Sequence, residues 1–225
     1  MRMAESMKNA RLLMTGLALV ASVVVPTPPS LAQQDFAVPP PPRQADFFIP
    51  GLAPVRLSPR YDLTIVYFFD YQCPACRKYT PQVSSVFDQD RGLRIIYRDT
   101  PIFGPNSIVA AKLAIASQFQ GRHEAFHRAL MSERPPLTEP ALRHAAAVAK
   151  VDWTRLTRDL AAHRAKIERQ IEQNQNLSEA AGISGTPAFI VGKTLANGAL
   201  GRAALLAEIG DARRASRKPA RRSRN

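Results

Sequence analysis

Cysteine is nearly absent from this chain: of 225 residues, only Cys73 and Cys76 are cysteines. With no second pair, a four-thiolate metal centre is excluded. A fold-shaping staple is a poor use for two cysteines three apart. Closing so small a loop removes little unfolded-state entropy, on the order of 2 kcal/mol. The same spacing suits chemistry, because the two sulfurs reach each other and can trade a disulfide with a third thiol. Capture of copper by the two thiolates is the remaining rival use of the pair. Acidic residues are scarce too, 18 against 31 Lys and Arg, which leaves a formal charge of +13.

That charge is spread unevenly. Arg2, Lys8 and Arg11 precede a mostly apolar run from Leu12 to Val25, and Ser30-Leu31-Ala32 offers small residues for cleavage. The pattern reads as a signal peptide over residues 1–32. The run falls short of the roughly 20 residues of a membrane span, and an uncleaved anchor is the alternative. Export with cleavage near Ala32 implies a periplasmic or otherwise oxidising location, where disulfides persist. Residues 33–59 include four consecutive prolines, Pro39 to Pro42, and read as an extended arm outside the core. Residues 211–225 carry seven Lys or Arg against Asp211 with no apolar periodicity, the composition of a disordered tail. For an exported chain such a tail points to an anionic envelope surface, and no nucleic-acid partner is expected.

Between these ends lies one domain, residues 60–210. Tyr61 to Asp70 is β-branched and aromatic without polar alternation, as in a central strand covered on both faces. A helix is predicted from Pro74 to about Asp88, kinked at Pro81, with Val83, Val86 and Phe87 on its buried side. Gly92 to Asp99 is a second strand, parallel to the first. Residues 106–181 read as three to five helices, the first with Ile108, Ile115 and Phe119 on one face, and Asp152 caps a later one. Gly182 closes the block. A strand at Ala188 to Val191, a hairpin partner at Thr194 to Ala196, and a helix from Arg202 to Ile209 with Leu205, Leu206 and Ile209 inward complete the order.

The physics of capping separates the two cysteines. Pro74 suits the first helical position, since its missing N–H would be unpaired there. Cys73 is then the N-cap, facing free backbone N–H groups and the positive end of the helix dipole. Both favour thiolate, so its pKa falls and it is the sulfur a substrate thiolate attacks. Cys76, one turn further in, is sheltered and resolves. Asp70, at the strand end, is a candidate for tuning Cys73.

Three segments carry a resemblance. Tyr67-Phe68-Phe69-Asp70-Tyr71-Gln72-Cys73-Pro74-Ala75-Cys76 resembles the active-site segment of the DsbA-like thiol:disulfide oxidoreductases of the thioredoxin-fold superfamily. Tyr97-Arg98-Asp99-Thr100-Pro101-Ile102-Phe103-Gly104-Pro105-Asn106-Ser107 is similar to that family's entry into its inserted helical domain. Gly185-Thr186-Pro187-Ala188-Phe189-Ile190-Val191-Gly192 resembles the segment carrying its cis-proline. The resemblance implies an α/β thioredoxin fold with an inserted all-helical domain. It implies that Pro187 is cis, that Thr186 and Pro187 bind the substrate chain, and that the redox-active disulfide replaces any dissociable cofactor. Implied partners are reduced exported polypeptides and a membrane-bound redox partner. Two departures stand out. Many relatives place a buried acid where this chain has Tyr67, so water or Asp70 must serve any proton relay. Strongly oxidising relatives place histidine between the cysteines, where this chain has Pro74-Ala75, which predicts a milder oxidant.

His123-Glu124-Ala125-Phe126-His127 matches the zinc-protease pattern HExxH, but no third ligand or further signature follows. With Phe126 and Leu130 at core spacing, it reads as an ordinary surface-to-core helix, and no metal site is assigned. The resulting expectation is an exported oxidase of protein thiols. An isomerase or reductant of the same fold, or a metal-binding or chaperone-like envelope protein, is the alternative.

Overall fold

The apolar run expected as a central strand becomes the middle strand of a five-stranded sheet in the computed structural model, which describes residues 42–217. Its strands are β1 (Val55–Leu57), β2 (Leu63–Phe69), β3 (Leu93–Asp99), β4 (Ala188–Val191) and β5 (Thr194–Asn197), in the spatial order β1-β3-β2-β4-β5. β2 pairs parallel with β3, Ile65 opposite Ile95 and Phe69 opposite Asp99, and antiparallel with β4. A parallel pair requires a crossover, and α1 (Pro74–Gln89) supplies it, continuing through Pro81.

Both faces of β2 are buried, which is why its sequence shows no alternation. Ile65, Tyr67 and Phe69 pack in the larger core with Cys73, Cys76, Val83, Val86 and Phe87, whereas Val66 and Phe68 join Ile96, Leu177 and Ile190 in a second one. The helical block between β3 and β4 comprises α2 (Pro105–Ser117), α3 (His123–Ser132), α4 (Glu139–Val148) and α5 (Trp153–Ala180). Asp152 caps α5 through Arg155 N–H, and Gly182 beyond its end takes φ +68°. The thioredoxin-like sheet with a helical insertion is therefore present.

Four expectations need correction. The described part of the Pro-rich segment, residues 42–59, does not stay outside the core. A 3-10 helix at Gln44–Phe48 buries Phe47, and β1 pairs with β3. Arg98, wholly buried, fastens this segment by donating to the carbonyls of Phe47, Ile49 and Pro50 and to Asn174. The basic tail does not begin at Asp211, because α6 spans Arg202–Arg217 and its Arg213 pairs with Asp62 and Asp90. Ile108 is 40% exposed, since α2 buries its alanines instead. Leu206 likewise points outward, while Leu205 and Ile209 are buried. The expected signal peptide, the first part of the Pro-rich arm (residues 33–41) and the last residues of the tail lie outside the described residues. Among the described residues no helix is long and apolar enough to cross a membrane.

Candidate active site

The central strand ends at Phe69, and the chain turns through Asp70, Tyr71 and Gln72 into α1 with Cys73 as N-cap and Pro74 first in the helix. The Cys73 sulfur accepts from the Cys76 backbone N–H at 3.4 Å and donates to the Thr186 carbonyl at 3.1 Å. The Thr186–Pro187 bond is cis, and β4 follows at Ala188. The fold thus brings Cys73, Cys76, Pro74, Ala75, Asp70, Thr186 and Pro187 into one site from segments more than a hundred residues apart. The cysteines are in the dithiol form.

The two sulfurs are chemically unlike. The Cys73 thiol is held down to about 6, chiefly by its hydrogen bond with the Cys76 thiol, against its own burial. Thr186 and the backbone N–H groups of Cys76 and Ala75 add to this. Burial pushes the Cys76 thiol well up, and the neighbouring Cys73 adds to it. Cys73 keeps 2% of its surface open and Cys76 none. One sulfur gives up its proton readily near neutral pH, and the other is a protected thiol.

The Asp70 carboxylate is engaged away from both sulfurs. It accepts from Gln72 N–H and the Ser107 hydroxyl at 2.7 Å each, and from Ile102 and Phe103 N–H at 2.7 and 3.0 Å. Every partner is a donor, and neither sulfur is among them. Tyr67, at the position where relatives carry an acid, stacks on Phe189 with ring centroids 4.7 Å apart. Burial, then Cys76, pushes its phenol well above the ordinary range, so it keeps its proton.

A buried acid does lie near this face, at a position the sequence reading passed over. Both carboxyl oxygens of Asp99 are buried without a hydrogen-bond partner, and burial holds the group well above the carboxylate range. Strand alternation puts Tyr97 and Asp99 on the face of Tyr67 and Phe69. Tyr71, pushed up by burial and then by Asp99, meets His127 Nδ1 at 3.2 Å. Asp99 closes a strand that already carries Arg94 and Arg98, and only its place at the end of that strand marked it in the sequence.

The HExxH histidines belong to this aromatic wall. His127 lies edge-on to Phe69 with centroids 4.7 Å apart, and His123 packs on Tyr97. Burial pushes both down, His123 to about 3. Glu124 turns away to Arg128 and Arg56. Among the described residues no three His, Cys, Asp or Glu side chains stand together as a metal site.

Comparison with known proteins follows the same lines. The family model described as DSBA-like thioredoxin domain matches residues 64–210. A thioredoxin-like oxidoreductase from Silicibacter pomeroyi DSS-3 superposes with a TM-score of 0.71 at 35% identity, over 77% of this chain and 99% of that one. A periplasmic thioredoxin-like protein from Salmonella enterica serovar Typhimurium gives 0.66 at 26% identity, over 75% and 94% of the two chains. Among curated proteins, the Na(+)/H(+) antiporter NhaA 1 of Salinispora arenicola is 27% identical over 149 residues, 65% of this chain. This chain spans about a fifth of the length of such curated relatives, 22% for that antiporter.

Proposed function

This chain belongs to the DSBA-like thioredoxin domain family, and from its site we propose that it is an exported protein thiol:disulfide oxidoreductase acting through Cys73 and Cys76, chiefly as an oxidase. The observation that carries this reading is the unlikeness of the two sulfurs, a thiolate of pKa about 6 beside a buried thiol raised well above it. In the disulfide form, a substrate thiolate attacks the Cys73 sulfur and the Cys73–Cys76 bond breaks. Cys76 leaves and takes up a proton, as its raised pKa requires. A second substrate thiolate then attacks the substrate sulfur of the mixed disulfide, and Cys73 leaves as a thiolate that needs no proton at neutral pH. Two electrons pass from substrate to enzyme. A membrane-bound partner that withdraws them completes the cycle, and no dissociable cofactor takes part.

Thr186 and Pro187 line the opposite wall, where an extended substrate chain adds its backbone to the site. The Cys73 value supports a milder oxidant than DsbA, whose nucleophile lies near 3.5, and sits closer to thioredoxin at about 7. Ala75 in place of histidine agrees. Residues 1–32 and the description of the Salmonella relative as periplasmic support a periplasmic location. The basic C-terminal residues suit an anionic envelope surface.

Reduced, unfolded ribonuclease tests the reading. Disulfides should form in it at a rate abolished by Cys73→Ser. Recovery only from scrambled ribonuclease makes the protein an isomerase, and recovery from neither makes it a binding protein. Equilibration with glutathione should return a potential below DsbA's roughly −120 mV, and a value at or above it refutes the milder poise.

A further inference from the structure

The Asp70 side chain makes four hydrogen bonds around the site, yet its carboxylate is bonded to neither sulfur. It is buried, and four donors from three places converge on its two oxygens. Gln72 N–H comes from the turn before Cys73. The Ile102 and Phe103 N–H groups come from the loop leaving β3. The Ser107 hydroxyl comes from the first turn of α2. The Asp70 main chain works on the dithiol itself, its carbonyl accepting from Cys73 N–H at 3.2 Å. Gln72 extends the same frame, donating to the Phe103 carbonyl and accepting from Leu137 N–H. A buried carboxylate without a cation is costly, and it is kept only where its donors replace water fully. Here they tie the loop carrying the dithiol to the loop that opens the helical insertion.

We propose that Asp70 is a positioning residue for Cys73, which fixes the N-cap turn by anchoring it to the Ile102–Ser107 loop. It acts through geometry rather than charge. The proposal rests on Cys73 being the exchanging sulfur, and it concerns what holds that sulfur in its cap. The frame also holds the backbone of Ile102 and Phe103, whose side chains are 50% and 47% exposed.

Geometry and charge make opposite predictions. Asp70→Asn removes a negative charge near Cys73, which by itself favours the thiolate and lowers its pKa. The same change sets an amide donor against either the Ile102 and Phe103 N–H groups, which share one oxygen, or the Gln72 N–H on the other, so the turn loosens and Cys73 leaves its cap, which raises the pKa. The test is the thiolate absorbance of the reduced full chain followed against pH, in wild type, Asp70→Asn and Ser107→Ala. The expected result is an upward shift for Asp70→Asn, on the order of one pH unit, and a smaller upward shift for Ser107→Ala, which leaves the carboxylate in place. Amide exchange at Ile102 and Phe103 should quicken in both. A midpoint that falls or stays unchanged in Asp70→Asn overturns the proposal. Should that variant not fold, an unchanged midpoint in Ser107→Ala overturns it instead. The readout is the thiol alone, so it stands apart from activity on any protein substrate.

Discussion

At the scale of single residues, the low pKa of Cys73 has two sources that substitution separates. The helix N-terminus supplies backbone N–H groups, but the hydrogen bond from the Cys76 thiol is the larger influence. Cys76→Ala should therefore move the Cys73 midpoint from about 6 toward the ordinary thiol value, read from the pH dependence of alkylation by iodoacetamide. An unchanged midpoint would assign the effect to the helix alone. Asp99 poses the opposite problem, a buried acid that keeps its proton. In the unfolded chain an aspartate ionises near 4, while in the fold it stays neutral well above that. Unfolding therefore releases a proton over this window, and stability is lost as pH rises from about 4 toward the folded-state value. Asp99→Asn removes the effect, so wild type should lose stability relative to the variant by up to about 1.4 kcal/mol per pH unit above pH 4. Urea unfolding of both proteins across pH 4–8 checks this. The contributions of His123 and His127 are common to both and cancel, and parallel curves would refute the assignment.

At the scale of elements, what the sequence disclosed was what short-range physics decides. β2 shows in its unbroken apolar run, α1 in Pro74 behind a capping Cys73, and the end of α5 in Gly182, each readable within a few residues. β1 was hidden because its three residues follow a proline-rich stretch and owe their conformation to β3, some forty residues on. The extension of α6 was hidden because its basic, aperiodic sequence is held by carboxylates at Asp62 and Asp90. The frame around Asp70 was hidden for the same reason, since three of its four partners lie more than thirty positions away. Arg98 belongs to this long-range class as well. Four acceptors surround its guanidinium, three of them carbonyls of the segment before β1. Arg98→Met keeps much of the volume and leaves those acceptors unpaired in a buried place. It should cost about 3 kcal/mol in urea unfolding. It should also expose the chain near Phe47 to limited proteolysis. Because Arg98 lies on the sheet face away from the dithiol, the Cys73 titration should not move.

At the scale of the whole molecule, the fold has two poles joined by β2. One is the carboxyl end of the strand, where Cys73, Asp70 and Pro187 meet, the end at which α/β folds gather their chemistry. The other is its start, where Arg213 of α6 grips Asp62 ahead of β2 and Asp90 after α1, at 2.7 Å to each. This clasp closes the last helix onto the domain and belongs to stability, not to exchange. Both carboxylates and the arginine are partly exposed, so its worth is modest, about 1 kcal/mol for Arg213→Ala after solvent screening. Its pH dependence follows from Asp90, whose carboxyl the Arg213 hydrogen bond holds below the usual range. A carboxylate lowered in the fold stabilises above the unfolded value near 4 and loses that contribution as pH falls through the folded value. The gap between wild type and Arg213→Ala should thus be full at pH 7, shrink below pH 4, and narrow in high salt as screening shortens the reach of the pair. Thermal unfolding at pH 3 and 7, with and without 1 M salt, measures it. The alkylation profile of Cys73 should be the same in both proteins, because a defect at the clasp has the length of β2 to cross before it reaches the dithiol. A shifted profile would mean instead that the sheet transmits strain from α6 to the active-site turn.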